Sequence, residues 1–135
     1  MALQYSVTLR NNQLDQLEAT VGVSAKLSIR TGAAPANCAA ADTGALVIQI
    51  TLPSDWMNAA ASGSKTKLGT WSGAATGAMS ASGHFRIYDN AGTTCVAQGT
   101  VTATGGGGDM TVDNINIAIA QTVTVNTFTV NAANS

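Results

Sequence analysis

Charge is what this sequence has least of. Asp, Glu, Lys and Arg make up 10% of its 135 residues, against about 25% in an ordinary soluble domain. The six cations, Arg10, Lys26, Arg30, Lys65, Lys67 and Arg86, are scattered, and the net charge is −1. Nucleic-acid binding needs clustered Lys and Arg to neutralise phosphates, so the composition argues against that partner. Aromatics are 4% of the chain, too few to furnish both a core and a stacking platform. No run approaches the ~18 apolar residues of a membrane span, so no membrane partner is expected. Residues 1–5 lack the basic and apolar regions of a secretory signal, and no Asn-x-Ser/Thr acceptor occurs. The reading is a protein made and folded in a cytoplasm. Two cysteines, Cys38 and Cys95, lie far apart. In a reducing compartment two free thiols are favoured over a bridge, and the pairing stays open.

What is present is apolar but aliphatic. Hydrophobic residues reach 45%, carried by Ala, Val, Ile and Leu, which excludes a disordered chain. A domain of this size buries roughly two-thirds of its unfolded surface and needs neither metal nor disulfide to fold. Its surface is built from Thr, Ser, Asn and Gln. Such a near-neutral surface gives little colloidal repulsion, which an assembled protein tolerates better than a monomer.

The first segment has helical periodicity. Leu3, Val7, Leu14, Leu17 and Val21 share one stripe, with Ser6 as a cap and Gly22 as a stop, predicting a helix over 6–20. After Gly22 the period becomes two. Ala25, Leu27 and Ile29 alternate over 25–30, and Leu46, Ile48, Ile50 and Leu52 alternate until Pro53 ends the strand. A short helical turn is expected at 54–57 and a strand containing Trp71 at 65–72. An irregular, Gly- and Ala-rich edge follows over 73–83. Phe85 and Ile87 begin a hairpin that turns at 89–92 and returns over 94–104. The four glycines 105–108 read as a long loop within the domain. Short strands are expected around Met110 and Val112, and at Ile115, Ile117 and Ile119. A last strand over 122–130 flips its apolar phase between Val125 and Phe128, as a β-bulge would require. These are about eight strands with sandwich-like spacing. The predicted fold is all-β, an antiparallel β-sandwich, jelly-roll-like or immunoglobulin-like, with one N-terminal α-helix. Residues 1–22 form the helical segment and 23–135 the sandwich, within a single globular unit.

Catalytic and metal chemistry find little material. The lone histidine, His84, shows neither a serine elbow nor a Cys-His signature nearby and reads as a surface residue at a strand start. A catalytic alternative needs it in a pocket with Asp109 or Asp113. One histidine and two distant cysteines cannot make a spaced zinc motif, and Asp109 and Asp113 lack calcium-loop spacing. The glycine run is followed by Asp109 and not by a phosphate-loop Gly-Lys-Ser/Thr. Trp56 and Trp71 read as core or interface residues, and a sugar-binding module would need them exposed beside a groove. No catalytic, cofactor or metal residue is therefore assigned, and no cofactor is expected. The helix stripe has two readings: packing on its own sheet, or docking on a neighbouring subunit through Leu14, Leu17 and Val21.

Four stretches carry a family resemblance: Leu-Ser-Ile-Arg-Thr-Gly-Ala-Ala-Pro-Ala-Asn-Cys at 27–38, Leu-Pro-Ser-Asp-Trp-Met at 52–57, Gly-His-Phe-Arg-Ile-Tyr-Asp at 83–89, and the segment 98–110 with its Gly-Thr-Val-Thr-Ala-Thr-Gly-Gly-Gly-Gly-Asp-Met. Over nearly its whole length the chain resembles small proteins encoded among the structural genes of tailed bacteriophages and prophages. In size and predicted fold it is similar to the jelly-roll cement, or decoration, proteins of tailed-phage capsids. That likeness implies a non-enzymatic virion protein made in the host bacterial cytoplasm. It implies placement on the capsid exterior, with the major capsid protein and further copies of itself, as a dimer or trimer, for partners. Location in the tail, collar or fibre is the alternative within the virion. No family site residue carries over, since a cement protein has contact surfaces and no reaction centre.

Overall fold

A computed structural model describes residues 3–132. Its one helix, α1 (Val7–Val21), starts where Ser6 turns its hydroxyl back to accept the Leu9 N–H at 3.2 Å. It stops at Gly22, whose positive φ of 88° lets the chain turn while its N–H still reaches Glu18 O. Both boundaries fall at the capping residues read from the sequence.

Eight strands follow: β1 (Lys26–Thr31), β2 (Leu46–Thr51), β3 (Ser64–Thr66), β4 (Ser72–Ala74), β5 (Gly83–Tyr88), β6 (Cys95–Ala103), β7 (Met110–Val112) and β8 (Thr122–Asn131). Their order is β2-β1-β5-β6-β7-β8-β3, with β4 also pairing β8. The registers describe one continuous sheet, curled until its ends approach. Beyond β4, the N–H groups of Thr76 and Gly77 donate to Val47 O at 2.8 and 3.0 Å, joining the far end back to β2. Gly77 is required there, because a Cβ would lie 2.3 Å from Leu46 O. The all-β class with one N-terminal helix holds, while jelly-roll pairing is not seen in these registers.

The expected antiparallel pairing is corrected at one place: β6 and β7 run parallel. Parallel neighbours ordinarily need a crossover of about a dozen residues or more. Here residues 104–109 suffice, because the glycine run folds flat on its own strand. Gly105 and Gly107 take positive φ, and a Cβ on Gly106 or Gly108 would collide with Thr102. The loop is pinned by the Asp109 carboxylate, which accepts the N–H and hydroxyl of Thr100, both at 2.9 Å.

Inside the curl lies an aliphatic core crossed by a row of rings. Trp56 packs on Trp71, Trp71 on Phe128, and Phe128 edge-on against Phe85, with centroids 5.4–6.0 Å apart. Besides the bulge at Val96 on β6, two bulges set which residues face this core. On β2, Ile29 pairs Ile48 while Arg30 pairs Leu46, so Val47 is the extra residue. Val47 and Ile48 are both buried and Leu46 is turned outward, against the simple alternation expected over 46–52. On β8, Thr127 pairs Thr111 and Val125 pairs Val112, which places a bulge at Asn126 and accounts for the phase flip from Val125 to Phe128.

Other expectations fail for local reasons. Residues 54–57 make no helical turn; Met57 forms a bridge with Lys67 instead. The strand expected over 65–72 is two short pieces, β3 and β4, with Trp71 buried between them. Of the edge predicted over 73–83, only β4 and an isolated bridge at Met79 form. At 115–119 only Ile117 bridges, to Met79. The Asn116 N–H turns back to Asn114 Oδ1 at 2.9 Å, a local bond that competes with a ladder.

Candidate functional site

Strand β5 is buried on both faces. Phe85 and Ile87 face the core. His84, Arg86 and Tyr88 point to the outer face, where His84 was expected as a surface residue, and all three are buried there too. What covers them is the segment 32–45, a strap of Gly, Ala, Asn and Pro with few side chains of its own. It adheres through its backbone carbonyls. Arg86 Nη2 donates to Cys38 O at 2.7 Å and Ala40 O at 3.1 Å. Gln98 Nε2 on β6 donates to Pro35 O at 2.7 Å. His84 Nδ1 lies 2.9 Å from Gly32 O, and since a carbonyl only accepts, that nitrogen carries the proton.

One side chain of the strap reaches back. The Asp42 carboxylate accepts from Arg86 Nη1, from the Tyr88 hydroxyl and, at 3.0 Å, from Arg30 Nη2. The Tyr88 hydrogen bond, aided by the two guanidinium groups, holds Asp42 below the ordinary carboxylate range. Burial, together with that same bond to a carboxylate, pushes Tyr88 up to about 12. Arg86 stays charged although burial opposes it, because Asp42 compensates.

A second cluster ties α1 to β3 and to the segment before it. Lys65 is 2% exposed, and its ammonium donates to Asp15 Oδ1 (2.7 Å), Glu18 Oε2 (2.9 Å) and Asn58 O (2.8 Å). Burial pulls the Lys65 pKa down, but the two carboxylates more than offset it and the net shift is upward. The bond from Lys65 lowers the pKa of Asp15. The carboxylates and an amide of α1 also receive the neighbouring backbone: Ala60 N–H on Asp15 Oδ1, which it shares with Lys65, Met57 N–H on Glu18 Oε1 and Gly63 N–H on Asn11 Oδ1. Trp56 Nε1 closes the set on Gly22 O. A helix with so few charged residues spends two acids on its own fold.

The candidate interface residues are placed by the same packing. Leu14 is 6% and Val21 4% exposed, and Leu17 is half-buried over the sheet. In this fold the chain itself covers Leu14 and Val21, and Leu17 keeps part of its surface open. The other members of the stripe stay outside: Leu3 is 70% and Val7 49% exposed, joined by Tyr5 at 40% and Leu9 at 44%. Sequence spacing grouped Leu3 and Val7 with the buried members; the one signal that separates them is their place before or in the first turn of the helix.

The other singled-out residues are also located. Trp56 and Trp71 are fully buried, which removes them as a sugar platform. His84 lies beneath the strap, a correction to its reading as a surface residue. Asp109 pins Thr100, and Asp113 accepts the Asn114 and Thr124 N–H groups, so each acid serves its own loop. Cys38 on the strap and Cys95 at the start of β6 are free thiols that line one cleft with Asp42, Arg86 and Tyr88. Among the described residues no three His, Cys, Asp or Glu side chains gather as a metal site, and no helix is long and apolar enough to cross a membrane. The chain matches no protein-family model, no curated protein and no solved structure.

Proposed function

We propose that this chain is a non-enzymatic structural protein of a tailed-phage virion, a cement protein seated on the capsid exterior. It bridges adjacent major capsid subunits there and associates with further copies of itself. The observation that supports this reading is the exposed apolar arm at the start of the chain. Leu3, Tyr5, Val7 and Leu9 leave large hydrophobic surface in solvent while the rest of the helix is committed to the sheet. A rigid curled sheet presents that arm, and the shell repeats each modest contact many times, so that avidity replaces single-site strength. Scarce charge fits the role, since the contacts desolvate few ions.

The test is a cryo-electron microscopy reconstruction of intact virions of the phage that encodes the chain. Density for it on the icosahedral shell, between major capsid subunits and with residues 3–9 against a neighbour, supports the proposal. Density confined to tail or collar overturns the cement role and leaves a tail subunit. Absence from the particle overturns both.

A further inference from the structure

Two thiols distant in sequence meet at the edge of the strap. Cys38 belongs to the turn that Arg86 holds by its carbonyl, and Cys95 opens β6 opposite Tyr88. They line the same open cleft, rimmed by Gly92 and Thr93 of the β5–β6 turn. Both are half-buried, so a small reagent reaches them. The strap has no ladder to β5 or β6; carbonyl contacts and Asp42 hold it there.

We propose that Cys38 and Cys95 are an intramolecular disulfide site, closed by exchange with a low-molecular-weight disulfide, which fastens the strap covalently to the sheet. The inference is independent of the role in the virion. In the first step the Cys38 thiolate attacks one sulfur of the small disulfide. A Cys38–S–S–R bond forms, the R–S–S–R bond breaks, and one thiol leaves. In the second, Cys95 gives up its proton and attacks Cys38 Sγ, expelling the second thiol, which takes a proton from solvent. Two protein thiols are oxidised and one disulfide is reduced to two thiols. Burial pushes the Cys95 thiol up to about 11, so little of it is thiolate at neutral pH and the second step quickens as pH rises. The bond closes a long loop of the unfolded chain, and its entropic effect corresponds to a rise in melting temperature of roughly 10 °C.

The experiment incubates the purified full chain with mixtures of reduced and oxidised glutathione, then reads intact mass, peptide-mapped linkage, oligomer size and melting temperature. The expected product is a monomer lighter by two hydrogens, with Cys38 joined to Cys95, and a higher melting temperature that dithiothreitol reverses. Cys95→Ala is expected to stop at the mixed disulfide on Cys38; the mapped linkage of the unaltered chain stands even if that variant fails to fold. Glutathione adducts on both cysteines, a disulfide-linked dimer, or folded protein that keeps both thiols under conditions that oxidise the urea-unfolded chain would each overturn the proposal.

Discussion

Replacing Lys65 with Met isolates the helix clamp. Met keeps most of the buried stem volume, so packing changes little and the loss is electrostatic. Three hydrogen bonds disappear, two of them to carboxylates. A bond to a charged group is worth about 1.5–3 kcal/mol, but the side chains of Asp15 and Glu18 are 46% and 22% exposed. Water therefore restores part of what they lose, and the low end of the range applies. Asn58 O, in contrast, is left facing an apolar side chain. The net destabilisation is about 2–4 kcal/mol. For a urea slope of about 2 kcal/mol per molar, the midpoint falls by roughly 1–2 M at unchanged slope. Urea titrations followed by far-ultraviolet circular dichroism and by tryptophan emission should agree, because Trp56 is bonded to the end of α1. A shift below about 0.3 M would refute the reasoning, since it would mean that the ammonium contributes no more than a hydrocarbon of the same shape.

The strap carries a pH signature at each end of the scale. Asp42 is depressed in the fold, so its contribution is present above about pH 4 and is lost as pH falls through its lower folded value; Asp42→Asn should flatten the acid limb of a stability–pH curve. Tyr88 is raised to about 12, so its contribution is full below about pH 10 and is lost as pH climbs toward 12, and Tyr88→Phe should remove that alkaline loss. Gly77→Ala places a Cβ against Leu46 O and should cost about 2 kcal/mol or more by parting β4 from β2, read as a lower melting temperature; an unchanged value would show that the curl closes elsewhere. Val7→Asp with Leu9→Asp should leave the melting temperature within a few degrees yet abolish self-association in sedimentation velocity or decoration of emptied heads, whereas unimpaired assembly would remove the arm from the interface.

The sequence reveals those parts of the fold whose two faces differ in kind. The caps at Ser6 and Gly22, the alternation of β1 and the turn at Asp89 all state their structure locally. The outer face of β5 does not. His84, Arg86 and Tyr88 alternate with apolar residues as a solvent face would, and nothing hydrophobic in residues 32–45 announces a cover. The strap binds through carbonyls, which every residue carries and no sequence pattern marks. The same holds for the meeting of Cys38 with Cys95, fixed by how that strap lies on the sheet. Lys65 is another such case: Asp15, 50 residues away in sequence, and Glu18 are brought beside it only by the fold.

Scarce charge takes on a sharper meaning once its placement is known. Lys65 is held by Asp15 and Glu18, and Arg30 and Arg86 by Asp42. Arg10 donates to Ala132 O, Lys26 to the Thr51 hydroxyl and Lys67 to Gly69 O. Every cation of the chain is thus engaged with the chain itself, and three of the seven acids are engaged with them. The charges act as internal fasteners for segments too poor in apolar side chains to pack by burial alone. What a partner meets is then hydroxyls, amides, a few exposed carboxylates such as Asp55, Asp109 and Asp113, and the exposed apolar arm. Such a surface exerts little long-range steering on an approaching protein, so association proceeds without electrostatic acceleration and is only weakly sensitive to salt. On the role proposed above, a place on a repeating shell, specificity would rest on shape and on the number of simultaneous contacts, the two quantities a curled sheet with one apolar arm can supply.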